Sequence, residues 1–493
     1  MVKRLSSAWL LSILLCAAAW AVEPPLALSP EVKAELDAAV TGAAMADASV
    51  TVLVQAVGAY DAGAAGLNFL HYQPRERPVL YSHNPELPLI PASNMKILTG
   101  AAILDRLGGE YQFFTTVRAA PAVDGTVENL WLVGGGDPAL DLAQLRQLAE
   151  SVRAAGVTRV SGSVICDAHR YRDKFPEGWT EDDTLWYYGA EVWGIALARN
   201  QIDVTVRPGD AVGEPAEVSF SPESSFVRPI NRLTTGAEGI TASIEWSRDP
   251  ATGQTVVSGR VPLRVGASWS QGMAVANVPL YCATVFTDFL RDAGVTVEGG
   301  PDVGHWPVGA DEIARFESEP LRVSLRGMMK RSDNLWAEMY NRELGYQLNR
   351  DGSAASGAQA VREFLAKFGI DDSLLTINDG SGLSRRDQLT AQAIMGVLLA
   401  MADHPMRDIF YDSLPVAGVD GTLASRMKGT KAEGNVHAKT GSLTGRSSLS
   451  GYVVNASGDL LAVSTMFNDF KVSAGEARGV SNRIFEALAN WQR

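Results

Sequence analysis

The sequence predicts an α+β fold: an antiparallel sheet flanked by helices, built from both ends of the chain and interrupted by a long insertion. Three observations carry this. Alternating, Val-rich segments lie near residues 49–55 and again after residue 434. Helical periodicity follows residue 93 and fills residues 321–400. Between them, from about 111 to 317, short strands and Gly-Asp and Pro-Gly turns dominate, too many for a single sheet to absorb. The expected division is 1–21 as an export signal, 22–110 with 318–493 as one discontinuous domain, and 111–317 as an inserted region, mostly β, of one or two domains.

Lys3 and Arg4 precede an apolar stretch, 8–16, that is too short to span a bilayer, and Ala19-Trp20-Ala21 fits a small-x-small cleavage site. This pattern predicts export, with a mature start near Val22. Residues 49–55 and 79–82 read as strands. A helix begins near Ser93 and runs to Leu107, where Gly108-Gly109 stops it; it is apolar nearly all round, so it should lie at the centre of the core. In the insertion, strands are expected at 131–133, 160–167, 202–207 and 255–265, with helices at 142–155 and 283–293. Helices follow at 324–330, 335–348, 358–368 and 390–400. Three strands, 435–440, 447–455 and 460–466, are joined by turns at Thr444-Gly445 and Ser457-Gly458-Asp459, and a helix over 474–491 closes the chain.

The net charge of −13 across 493 residues argues against nucleic acid as a partner, since phosphates would be repelled. The six histidines form no HExxH or clustered pair along the chain, and the cysteines do not cluster, so no metal or other cofactor is expected. Cys166 and Cys282, the cysteines beyond the signal, could pair in an oxidising compartment; two buried thiols is the preferred reading.

Three separated strings carry chemistry: Ser93-Asn94-Met95-Lys96, Ser332-Asp333-Asn334 and Lys439-Thr440-Gly441. Each alone has an ordinary explanation, respectively an N-cap with a surface lysine, a helix cap and a β-turn. Together, in that order, they supply the parts for opening an amide through an acyl-serine. Ser93 and Lys96 share one helix face. The serine needs a base, and burial, the helix dipole and a second cation at Lys439 would all lower the lysine's pKa from about 10.4 toward the useful range. Ser332 could pass a proton to the leaving nitrogen. Asn334 could hold a substrate amide and Lys96, with Asp333 turned away. Lys439, Thr440 and Ser442 could hold a terminal carboxylate, Gly441 would let the substrate backbone approach, and the N–H groups of Ser93 and Ser442 would form an oxyanion hole.

In these strings the chain resembles the penicillin-binding proteins, specifically the low-molecular-mass class C D-alanyl-D-alanine carboxypeptidases/endopeptidases. Flanking residues agree: Pro91-Ala92, Gly134 to Pro138, Leu335, Ala337-Glu338, Asp379 to Arg385, and Gly418 with Asp420-Gly421-Thr422. The resemblance implies a split transpeptidase/β-lactamase-like domain and a periplasmic serine DD-peptidase. Its substrates would be peptidoglycan stem peptides ending in D-Ala-D-Ala or their cross-links, and β-lactams would inhibit it covalently. Peripheral membrane association stays open. The resemblance further implies that Trp179, Asp182, Tyr187, Ser381, Leu383 and Arg385 form a side-chain pocket. There Asp182 would take the ammonium and Arg385 the carboxylate of a diaminopimelate end. Other readings are a β-lactamase, for which no residue here fixes a deacylating water, and a non-catalytic periplasmic scaffold. A Ser-His-Asp esterase lacks its Gly-x-Ser-x-Gly elbow. His437, beside the third string, is expected on a sheet face.

Overall fold

The computed structural model describes residues 26–60, 72–74, 77–221, 226, 229–249, 254–264 and 269–493. The expected signal segment, 1–21, and residue 265 of an expected strand lie outside them.

Strands from the two ends of the chain meet in one antiparallel sheet. Its order is His437–Leu443, Arg446–Val454, Asp459–Asn468, Ser49–Tyr60, Tyr72–Pro74, with Val79–His83 also paired to Ser49–Tyr60. Ser49 lies opposite Asn468 and Ala59 opposite Asp459. Strand Asp459–Asn468 is buried throughout, so the sheet is covered on both faces. One face packs under the helices Pro30–Thr41 and Ala474–Asn490, with Leu36, Val480, Ile484 and Phe485 in the core. The last helix starts from a capping box of Ser473 and Glu476.

The other face carries the helical layer. Helix Met95–Leu107 is buried from Met95 to Leu104 and ends at Gly108, whose φ is 77°. As its all-round apolarity predicts, it is enclosed, here by Leu321–Arg331, Asn334–Asn349, Ala354–Lys367 and Ala391–Asp403. Gly100 permits this packing, because a Cβ there would meet the Met329 methyl at 2.4 Å.

Among its described residues, the stretch between the two halves is mostly β, as expected, with two α-helices packed among its strands. A five-stranded sheet runs Pro301–Val303, Val164–Asp167, Leu130–Gly134, Phe114–Ala119, Asp311–Glu317, its first three strands parallel. Helices Leu142–Ala154 and Val278–Asp292 cover it and share its apolar core, which is why the segment is a packed α/β layer. Three small three-stranded sheets complete it. Cys166 and Cys282 are both free and buried in this core. Among the described residues, no helix is long and apolar enough to cross a membrane.

Candidate active site

Ser93 lies in a short 3₁₀ turn, Ala92–Asn94, immediately before helix Met95–Leu107. Ala92 has a φ of 48°, a strained value for a residue with a Cβ. The turn is fastened to the sheet: the Ser448 hydroxyl donates to the Pro91 carbonyl (2.7 Å) and the Asn94 amide donates to Ser450 Oγ (2.7 Å). Gly441 lets the edge strand come this close. A Cβ there would stand 3.0 Å from the Ser93 nitrogen and 2.7 Å from the Pro91 oxygen.

One helical turn on, Lys96 is fully buried. Its ammonium donates to Ser93 Oγ (2.9 Å), Asn334 Oδ1 (2.7 Å) and the Ser381 carbonyl (2.7 Å). Burial lowers its pKa to about 8, against the upward pull of Asp379, Glu338 and Asp333. Ser332 closes helix Leu321–Arg331 in the left-handed region, φ 59°. This bend aims its hydroxyl at Lys439, whose Nζ donates to Ser332 Oγ and to the Thr440 carbonyl, each at 2.8 Å. Burial first, and the nearby Lys96 second, push the Lys439 pKa well below its usual value. Asp333 turns away as expected: one oxygen caps Trp336 N and the other pairs with Arg199 at 2.7 Å. Asn334 anchors its own amide by donating to the Tyr188 carbonyl (2.9 Å). The Thr440 hydroxyl donates to that of Thr422 (2.7 Å).

Ser93, Ser332 and Ser442 line two hollows. One, of about 290 Å³, is also bounded by Tyr187, Tyr188, Leu383 and Arg199. The other, of about 620 Å³, is bounded by Thr440, Thr422, Arg426 and Arg478. Ser93, Lys96, Ser332, Asn334, Lys439, Thr440 and Ser442 thus surround one cleft, joined by Tyr187 and Leu383.

The other pocket residues are placed differently from expectation. Arg385 is already neutralised within the protein: it donates to Asp183 at 2.7 and 3.3 Å. Burial alone would raise the Asp183 pKa, but bonds from Arg385 and Thr180 pull it below the ordinary carboxylate range. Asp182 is exposed and lines neither hollow. The Trp179 indole N–H donates to Asp379 (2.9 Å), so this ring braces a loop. Ser381 is buried with its hydroxyl on Asp379; it meets Lys96 through its carbonyl instead. That loop is held tightly. Asp379 accepts from Gly382 N (2.6 Å) and Ser384 N (2.7 Å), and Glu338 accepts from Gly380 N and Ser381 N. Gly382, φ 78°, passes so near the Ala92 carbonyl that any Cβ would clash with it. Burial first, then Asp379, raises the Glu338 pKa to about 7.

These parts place a serine hydroxyl 2.9 Å from a buried amine whose pKa burial lowers to about 8. The model of the D-Ala-D-Ala carboxypeptidase 3 (S13) family matches residues 72–491. The chain belongs to the S13 family. The D-alanyl-D-alanine carboxypeptidase of Actinomadura sp. (strain R39) is 36% identical over 399 residues, 77% of this chain and 74% of that protein. D-alanyl-D-alanine carboxypeptidase DacB of Haemophilus influenzae is 25% identical over 428 residues, 84% of this chain and 88% of that protein. The crystal structure of penicillin binding protein 4 from Haemophilus influenzae superposes with a TM-score of 0.79 at 23% identity, covering 92% of this chain and 98% of that one. This S13 protein is therefore a serine-type D-Ala-D-Ala carboxypeptidase with the penicillin-binding-protein fold.

Sequence reasoning missed Asp183, Tyr188, Arg199, Arg426 and Arg478. Only Thr422, in the Asp420-Gly421-Thr422 string, had a signal to find it. Chain spacing also hid one potential ligand group. Asp167, His169 and His305 bring ligand atoms within 4.8 Å of one another in the five-stranded-sheet region. Both Asp167 oxygens already accept backbone N–H groups, from His169 and Trp306. None of the three lines the cleft.

Proposed function

We propose that Ser93 attacks the D-Ala–D-Ala amide of exported peptidoglycan stem peptides, in a catalytic unit of residues 22–110 and 318–493 interrupted by 111–317. The observation that carries this is the 2.9 Å contact between Ser93 Oγ and a Lys96 amine whose pKa is drawn down to about 8. At neutral pH roughly one such amine in ten is unprotonated and able to accept a proton. The Ser93 proton passes to Lys96 as the Oγ–carbon bond forms. The N–H groups of Ser93 and Ser442 hold the oxyanion, each donor being worth about 3–4 kcal/mol in the transition state. The carbon–nitrogen bond then breaks as Ser332 gives its hydroxyl proton to the departing amine and takes one from the Lys439 ammonium bonded to it. Thr440 and Ser442 take the terminal carboxylate, while Asn334 positions Lys96 and the substrate amide. Water completes the cycle: it attacks the acyl carbon and gives up a proton to Lys439 through Ser332, while Lys96 returns the proton to Ser93 Oγ as the carbon–oxygen bond breaks and the peptide acid leaves.

A β-lactam follows the same route as far as the acyl-serine, but its leaving nitrogen stays tethered; penicillin binding protein 4 of Haemophilus influenzae has been crystallised with one. The stem-peptide side chain enters the hollow bounded by Tyr187, Tyr188 and Leu383. A periplasmic location follows from the signal-like N-terminus and this substrate. The test is incubation with monomeric and cross-linked muropeptides followed by mass analysis. Loss of a terminal alanine or conversion of dimers to monomers, both abolished by Ser93→Ala, is the expected result. A labelled penicillin captured at any residue other than Ser93 would refute it.

A further inference from the structure

The larger hollow beside Ser93 is far roomier than one departing alanine requires, and its far wall is cationic. Arg426, at the end of the cleft, points its guanidinium to Asn482 Oδ1 (2.9 and 2.6 Å) and to the Arg478 carbonyl (3.3 Å). Arg478 stands beside it, exposed on helix Ala474–Asn490. Among the described residues, no carboxylate forms an ion pair with either one, whereas Arg170, Arg342, Arg362 and Arg385 each have such a partner. Burial first, and the neighbouring Arg478 second, hold the Arg426 pKa below its ordinary range, at about 10. Both arginines line the open cleft and their like charges repel one another, and an incoming anion relieves that repulsion.

We infer that Arg426 and Arg478 form an anion subsite on the leaving-group side of the cleft, one that takes a second carboxylate lying beyond the one held at Thr440 and Ser442. A lone alanine carries a single carboxylate and leaves this wall empty. The acceptor strand of a cross-linked peptide is longer and carries further carboxylates, so it occupies both positions. The subsite therefore favours cross-linked substrate over monomer. The inference rests on the DD-peptidase reading and names which of its substrates gains most.

The test compares kcat/KM for a cross-linked muropeptide dimer with kcat/KM for a monomeric peptide ending in D-Ala-D-Ala. Arg478 is exposed, so its replacement leaves the core intact. In Arg478→Ala the dimer-to-monomer ratio should fall at least tenfold, Arg478→Lys should restore most of it, and 0.5 M salt should lower the ratio of the unaltered enzyme. A ratio within twofold of the unaltered enzyme would overturn the subsite. Dimer binding is also measured by calorimetry in a Ser93→Ala background, where no turnover occurs. Affinity unchanged by Arg478→Ala overturns the subsite even if catalysis is as described. A weakened affinity alongside an unaltered enzyme that cleaves neither peptide would support the subsite and overturn the catalytic reading.

Discussion

Replacing Gly441 by Ala should disable the nucleophile without touching it. The added Cβ would lie 2.1 Å from Ser448 Oγ, 2.7 Å from the Pro91 oxygen and 3.0 Å from the Ser93 nitrogen. The Ser448 hydroxyl can rotate aside, but it then abandons its bond to Pro91, a loss of about 1 kcal/mol. The other two atoms are backbone and must move by several tenths of an ångström, taking the Ala92–Asn94 turn with them. Overpacking of this kind costs about 1–3 kcal/mol of stability, so the fold survives. Catalysis is less tolerant. Displacing one oxyanion donor costs about 10²–10³ in rate, and a small misplacement of the attacking atom has a similar effect. The second-order rate constant for acylation by a labelled penicillin should therefore fall about a hundredfold or more, with circular dichroism unchanged and melting lowered by a few degrees. Acylation within threefold of the unaltered enzyme would refute the claim that this glycine sets the spacing between strand and serine.

Acylation should also rise with pH through an apparent pKa near 8, because Lys96 must shed its proton to act as base; a stopped-flow penicillin profile flat from pH 6 to 9 would contradict this. Lys96→Arg should cut acylation by at least a thousandfold, since a guanidinium stays protonated at working pH; gel detection of labelled enzyme measures it. His437 stacks on Tyr411 with ring centroids 4.0 Å apart, and burial lowers its pKa to about 4. Its unfolded form gains a proton below about pH 6.5 while the folded form stays neutral until about 4. Stability is thus lost as pH falls through that window, by about 3 kcal/mol at roughly 1.36 per unit. His437→Gln should flatten the melting curve there, and equal pH dependence in both proteins would remove histidine from the account. Trp179→Phe deletes the 2.9 Å bond to Asp379 and loosens the loop that presents the Ser381 carbonyl to Lys96. Its kcat should drop about threefold to tenfold, and unaltered kcat in a peptide-release assay would show that the ring does not brace the base.

The grouping around Lys96 was legible in the sequence because Ser93, Lys96, Ser332, Asn334 and Lys439 lie in strings of short, fixed spacing and meet through their side chains. Ser93 and Lys96 share a helical face, and the 437–443 strand alternates visibly. Two things were hidden. Ser381 meets Lys96 through its carbonyl, which no residue letter distinguishes. Asp183, not Asp182, meets Arg385 because a 3₁₀ turn, Asp182–Leu185, decides which of two adjacent carboxylates faces inward, and composition cannot set that register. The parallel pairing of the five-stranded sheet was likewise illegible, since short strands of this kind read alike in parallel and antiparallel partnerships. The guanidinium pair comes from a loop and from the last helix, and only folding makes Arg426 and Arg478 neighbours.

The pairing of Ser49–Tyr60 with Asp459–Asn468 imposes an order in time. The strand made early has no neighbour on that side until Asp459–Asn468 has been synthesised. Such distant partnership makes folding slow, and partly finished chains stay dependent on protection from aggregation. It also acts as a safeguard. The hydroxyl at position 93 is made hundreds of residues before the amine at 439, so a chain still short of residue 439 holds that serine without the cleft around it. Hydrolytic power requires both in one folded cleft.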